Sequence, residues 1–201
     1  MSKLPYQPLL LRLTHGLNGV LIIGAMISGF LVYDSWDRRF GGLGLTKLNR
    51  DLIDIHGTFG FFISFVSLPI FLIYCWKAGR NRLLQGNTFN QLASFGTPGW
   101  WNSIQRIANT LMLLAAIFAV ISGKFQDENW LPRQEFQHSW YYVHLMAWVT
   151  IVFCLIIHLV MSLKVGGIPL LLSMVNNKYR PQDNPRLWRD KIINWFRRPH
   201  F

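Results

Sequence analysis

Apolar residues along this chain gather into four long blocks, Leu13–Tyr33, Leu52–Trp76, Ile107–Gly123 and Tyr141–Leu163. A hydrocarbon core of about 30 Å is crossed by roughly 20 helical residues, and the blocks approach or exceed that length. The third is short at its strict apolar limits, and Trp100, Trp101 and Ile104 extend it into the interface. Helices satisfy their own N–H and C=O groups, which lipid cannot do. The pattern therefore predicts an all-α, integral membrane four-helix bundle. Two connections are long. Asp34–Asp51 carries a Gly41–Gly42 turn, and Lys77–Arg106 carries Gly79, Gly86, Gly96, Pro98 and Gly99. Residues 1–166 form the bundle and 167–201 a basic cytoplasmic tail. In that tail Leu187, Trp188, Ile192, Trp195 and Phe196 alternate with basic residues up to Arg198, a pattern that fits either a helix lying flat on the membrane or a solvated tail with scattered apolar residues.

Composition agrees with a membrane setting. Hydrophobic residues make up 51% and charged residues 14%, with nine Trp and fifteen Phe. The net charge of +11 raises nucleic acid as a partner, but its distribution argues for membrane topology instead. Fourteen of the 20 Lys and Arg fall before the first block, between the second and third, or after the fourth. The positive-inside bias then places both termini in the cytoplasm. The first block is too long for a signal peptide's apolar region and no small-residue cleavage site follows it, so it is read as a retained span. Cys75 and Cys154 both lie inside apolar blocks, and a structural disulfide is not expected.

Four of the six histidines sit in or at the ends of the blocks: His15, His56, His144 and His158. Histidine in lipid is expensive and marks function. His144 and His158, 14 residues apart, are separated by about 40° in azimuth and about 21 Å along a helix axis. With the predicted topology, depths match in pairs: His15 with His158 near the inner face, His56 with His144 near the outer. Two imidazole pairs at two depths describe two bis-histidine haem b sites, since imidazole is a good axial ligand for haem iron. Zinc is disfavoured because structural zinc needs four ligands at one point. Gly19 and Gly60 each follow a histidine by four residues, one turn along the same face, leaving room for a macrocycle. His138 is the reserve ligand, and His200 has no assigned role. A repeat is also visible: Arg12 and Ser28-Gly29 bracket the first span, Arg106 and Ser122-Gly123 the third, each Arg-to-Gly separation being 17 residues.

Arg12-Leu13-Thr14-His15, Ile55-His56-x3-Gly60 and the His144/His158 pair resemble the superfamily of bacterial cytochrome b561 and the cytochrome b subunits of respiratory hydrogenases and formate dehydrogenases. Trp101-Asn102-x3-Arg106, closing in Ile121-Ser122-Gly123, resembles span three of those subunits. The resemblance runs from Arg12 to about Lys164. Gly16 departs from it, since many relatives carry Trp there. It implies electron transfer across a bacterial inner or photosynthetic membrane, between an extracytoplasmic iron–sulfur or cytochrome partner and a quinone near the inner haem. Carried over by position, the quinone would lie near His158, Asn102 and Arg106. For Asn102 a helix cap, and for Arg106 an interfacial anchor, are the competing roles. Outer-loop aromatics Trp36, Phe40, Trp130 and Phe136 are the expected partner contacts. Two other functions stay open: a stand-alone cytochrome b561-type oxidoreductase, and a structural anchor subunit of a larger complex. The chain has no soluble catalytic domain, phosphate loop or flavin fingerprint.

Overall fold

The structure is a computed structural model that describes residues 6–45, 50–176, 178 and 180–197. Among the described residues, four helices are long and apolar enough to cross a membrane: span 1, Leu9–Trp36; span 2, Asp51–Arg82; span 3, Pro98–Lys124; and span 4, Ser139–Val175. They run alternately up and down, so both ends of the described chain lie at one end of the bundle. That is called the terminal end here, and the opposite one the loop end. The expected all-α membrane bundle is what the chain forms.

The spans are longer than the apolar blocks, for local reasons. Span 3 begins nine residues before Ile107 because Thr97 caps it, its Oγ1 accepting from the Trp100 N–H at 3.3 Å, with Pro98 preset for the first turn. Span 2 widens into a π turn at Ile63–Ser67. Pro69 follows, and its ring would otherwise press on the carbonyl four residues back. The widened turn delivers Ser67 to span 1, where its hydroxyl donates to Asn18 Oδ1 at 3.0 Å with both residues buried. Span 4 is regular from His144 through His158 and kinks at Gly167, two residues before Pro169. Beyond the kink, Leu170, Leu171 and Met174 line a cavity together with residues of spans 1, 2 and 3. Gly167 has φ 65° and ψ −171°, a region that only glycine occupies freely. Gly167→Ala is expected to cost about 1–3 kcal/mol, read as a lower melting temperature in detergent and earlier proteolysis after the kink.

At mid-height the core consists of Ile63 and Leu68 of span 2, Ala115 and Ala116 of span 3 and Ile151 of span 4. Leu21, Ile22, Ala25 and Met26 of span 1 pack against it. At the loop end the connections are tied down. The buried Asp34 carboxylate accepts three backbone N–H groups, from Leu43 (2.6 Å), Gly44 (2.9 Å) and Leu45 (2.7 Å). Arg39 reaches across to the Tyr142 hydroxyl (2.8 Å) and the Phe136 carbonyl (3.0 Å), and Arg50 pairs with Glu128 at 3.0 Å. The tail forms the helix Trp188–Arg197; Arg198 and His200 lie outside the described residues.

Candidate haem sites

The four span histidines meet in two pairs. At the terminal end His15 of span 1 faces His158 of span 4, with ring centroids 6.0 Å apart and planes 30° from parallel. At the loop end His56 of span 2 faces His144 of span 4, with centroids 5.8 Å apart and planes 85° apart. All four side chains are half-buried. The apolar core lies between the two layers in sequence order, which keeps water from the space between them.

Each pair is held by neighbours that a carbonyl or amide oxygen orients. His144 Nδ1 is 3.0 Å from the Ala119 carbonyl, which can only accept, so Nδ1 carries the proton. Ser122 Oγ lies 3.1 Å from the same nitrogen and gives its own proton to the Phe118 carbonyl at 2.6 Å. His56 repeats the arrangement: Ser28 Oγ lies 3.2 Å from Nδ1 and donates to the Gly24 carbonyl at 2.8 Å. His158 Nδ1 is 2.7 Å from Asn109 Oδ1, and the Asn109 amide is fixed by donating to the Arg82 carbonyl at 2.9 Å. In these rings Nδ1 is the N–H and Nε2 keeps its lone pair, the state a metal ligand needs.

The Ser-Gly repeat acquires a role here that its sequence did not reveal. Each serine touches the histidine of the following span, and each glycine lets that ring approach. A Cβ at Gly29 would come within 2.9 Å of His56 Cε1, and one at Gly123 within 3.2 Å of His144 Cε1. The same offset of 94 residues that relates Ser28 to Ser122 relates His15 to Asn109. Arg12-x2-His15 and Arg106-x2-Asn109 are thus equivalent, and both equivalent residues end at His158. That correspondence was available in the sequence and would have found Asn109.

Around His15 and His158 opens a cavity of about 540 Å³, also lined by Asn102, Gln105, Arg106 and Asn109. Arg106 Nε donates to the Asn81 carbonyl at 3.1 Å. Asn102 sits inside the first turns of span 3, where Thr97 is the cap, so the helix-cap role does not apply to it. His138 lies apart from both pairs, stacked on Trp130 with centroids 3.7 Å apart, 3.7 Å from Glu135 Oε2. Cys75 and Cys154 are both free and buried.

Residues 6–177 match the family described as prokaryotic cytochrome b561. The chain belongs to the prokaryotic cytochrome b561 family. It is therefore a multi-pass membrane b-type cytochrome of electron transfer, and membership implies haem b. Comparison with curated proteins and with solved structures returns no match. The residues of this b561 chain fit the implied group. Two nitrogens about 2 Å from one metal, with rings on opposite sides, put ring centroids roughly 6 Å apart, as both pairs have them. Cβ atoms built at Gly16, Gly19, Gly57 and Gly60 would meet nothing within 4 Å, so the flanks of His15 and His56 are open. Among the described residues no group of three or more His, Cys, Asp or Glu gathers as a metal site.

Proposed function

We propose that this cytochrome b561-family chain is a dihaem electron carrier, with His15 and His158 holding an inner haem b and His56 and His144 an outer one. It would pass electrons between an extracytoplasmic iron–sulfur or cytochrome partner and the quinone pool, as the quinone-reactive subunit of an oxidoreductase. The observation that carries the reading is the pairing itself: two opposed imidazole pairs at 6.0 and 5.8 Å, which share span 4 and pair it at two depths with span 1 and span 2. Haem b supplies one-electron exchange at each site. The chain supplies the rest: the rings of each pair face one another, and Ser28 fixes His56, Ala119 and Ser122 fix His144, and Asn109 fixes His158, each through Nδ1. Apolar side chains between the layers exclude water.

For quinone, the cavity beside His158 offers amides and a cation from Asn102, Gln105 and Arg106 and apolar surface from Leu170, Leu171 and Met174. That mixture suits a ring with two carbonyls and an apolar tail. The positive-inside bias sets this end in the cytoplasm, and the loop end with its tied connections towards the partner.

Pyridine haemochrome assay on the purified chain, with a reduced-minus-oxidised spectrum, tests the reading. Two b haems per polypeptide are expected, reoxidised by a soluble quinone analogue. One haem or none overturns the dihaem assignment; haem without quinone reoxidation removes the quinone. Asn109→Leu is expected to weaken retention of one haem about 10–100-fold, the usual loss when a metal-bound histidine loses its outer partner. Competition with free imidazole during purification measures it.

A further inference from the structure

Two buried donors sit idle at opposite ends of span 1. Among the described residues, Arg12 Nε and Trp36 Nε1 are the buried side-chain nitrogens or oxygens without a hydrogen-bond partner. Arg12 is only 6% exposed, and its Nη2 is anchored on the Lys178 carbonyl at 2.8 Å. Buried donors are nearly always matched, and a guanidinium in a membrane protein most of all. A buried indole N–H likewise normally finds an acceptor. Both orphans therefore point to acceptors that the polypeptide does not provide.

Their positions say where those acceptors lie. Helical residues advance about 100° and 1.5 Å each. Trp36 is seven residues beyond Gly29, so it lies within about 20° of the line that meets His56 and about 10 Å further towards the loop end. Arg12 precedes His15 by three residues and stands within about 20° of Gly19, whose flank is open for at least 4 Å. It is about 4.5 Å nearer the terminal end than His15. Each histidine pair thus has one unmatched donor displaced from it towards its own end of the bundle. A haem b carries two carboxylates along one edge, and an anionic acceptor is what a buried guanidinium requires.

We propose that Arg12 Nε and Trp36 Nε1 receive haem carboxylates, Arg12 at the His15/His158 site and Trp36 at the His56/His144 site, so that the carboxylate edges of the two haems point to opposite ends of the bundle. The proposal rests on the dihaem reading above. These are positioning and tuning residues. A cation or donor beside a carboxylate offsets its negative charge, which otherwise favours the oxidised, more positive iron.

The experiment is a spectroscopic redox titration of Arg12→Gln, Arg12→Lys and Trp36→Phe beside the unaltered chain, with haem counted in each. Arg12→Gln is expected to lower the midpoint of one haem component by roughly a tenfold change in its reduction equilibrium, 59 mV for a one-electron couple. Trp36→Phe should lower the other component by less, since its donor is neutral, and infrared carboxylate bands should shift in both. Arg12→Lys, which keeps the charge but lacks the Nε donor, should recover at least half of the change but not all of it. A residue that merely holds span 4 through Lys178 would leave the potentials in place. Unmoved midpoints in either variant, or both variants moving the same component, overturn the proposal. Should Arg12→Gln not accumulate, Arg12→Lys and Trp36→Phe still have to move different components. Absence of two haems from the unaltered chain would instead fail the dihaem reading, before any variant is compared.

Discussion

Replacing any one of His15, His56, His144 or His158 with alanine is expected to halve the haem content, from two per polypeptide to one. Each pair stands alone: its rings are about 6 Å apart, while His144 and His158 are separated by about 21 Å of helix. Loss of one ring removes half the axial ligation of one site and leaves the other layer untouched. The pairing makes a sharper demand than the count does. His15→Ala and His158→Ala must lose the same spectral component, and His56→Ala and His144→Ala must lose the other. His138→Ala should lose neither, because its ring is stacked on Trp130 away from both pairs. Haemochrome counting with redox titration of the four single variants reads both demands. Retention of two haems in any of them, or a shared loss by His15→Ala and His56→Ala, would contradict the assignment.

Much of this architecture was legible because membrane physics writes it into composition. Apolar length located all four spans, and a 14-residue spacing placed His144 and His158 on one side of span 4 at two depths. The span ends were less legible. Trp100, Trp101 and Asn102 belong to span 3 because Thr97 and Pro98 start the helix, a local cap that hydropathy does not register. Pro169 reads as a terminator, but the unusual backbone of Gly167 absorbs the break and the helix continues to Val175. The site's supports were half visible. The Ser-Gly repeat stood out in the sequence, yet its meaning depends on which face of the next span each serine meets, and that is set only by packing. The loop aromatics are less exposed than their place in the loops suggested. Trp36, Phe40, Trp130 and Phe136 all suggested an exposed partner surface, but only Phe40 among them is largely exposed, at 73%. Arg39 gathers Phe136 with Tyr141 and Tyr142, its guanidinium carbon 4.9 Å from the Phe136 ring centre, and His138 covers Trp130.

Valine at Gly29 is expected to empty the His56/His144 site while leaving both histidines in the chain. The argument is one of space. A Cβ at Gly29 would lie 2.9 Å from His56 Cε1 and 3.3 Å from its Nδ1. Cε1 is the atom between the two ring nitrogens, so pushing on it turns Nε2 away from His144. The ring has little freedom to yield without breaking its contact with Ser28 at 3.2 Å. A misplacement on the order of 1 Å in a positioned group costs about a hundredfold in function. Gly123 is a milder case, its Cβ meeting His144 Cε1 at 3.2 Å and Nδ1 at 3.5 Å. Alanine there requires a shift of only a few tenths of an ångström. The expected order of haem loss is therefore Gly29→Val and Gly123→Val first, then Gly29→Ala, then Gly123→Ala, all from one spectral component. Gly86→Ala, in the connection between spans 2 and 3 where nothing lies within 4 Å, serves as the control and should keep two haems. Measured haem per chain across this series separates room from ligation: if Gly29→Val binds two haems with unchanged spectra, His56 does not hold its haem in the orientation seen here.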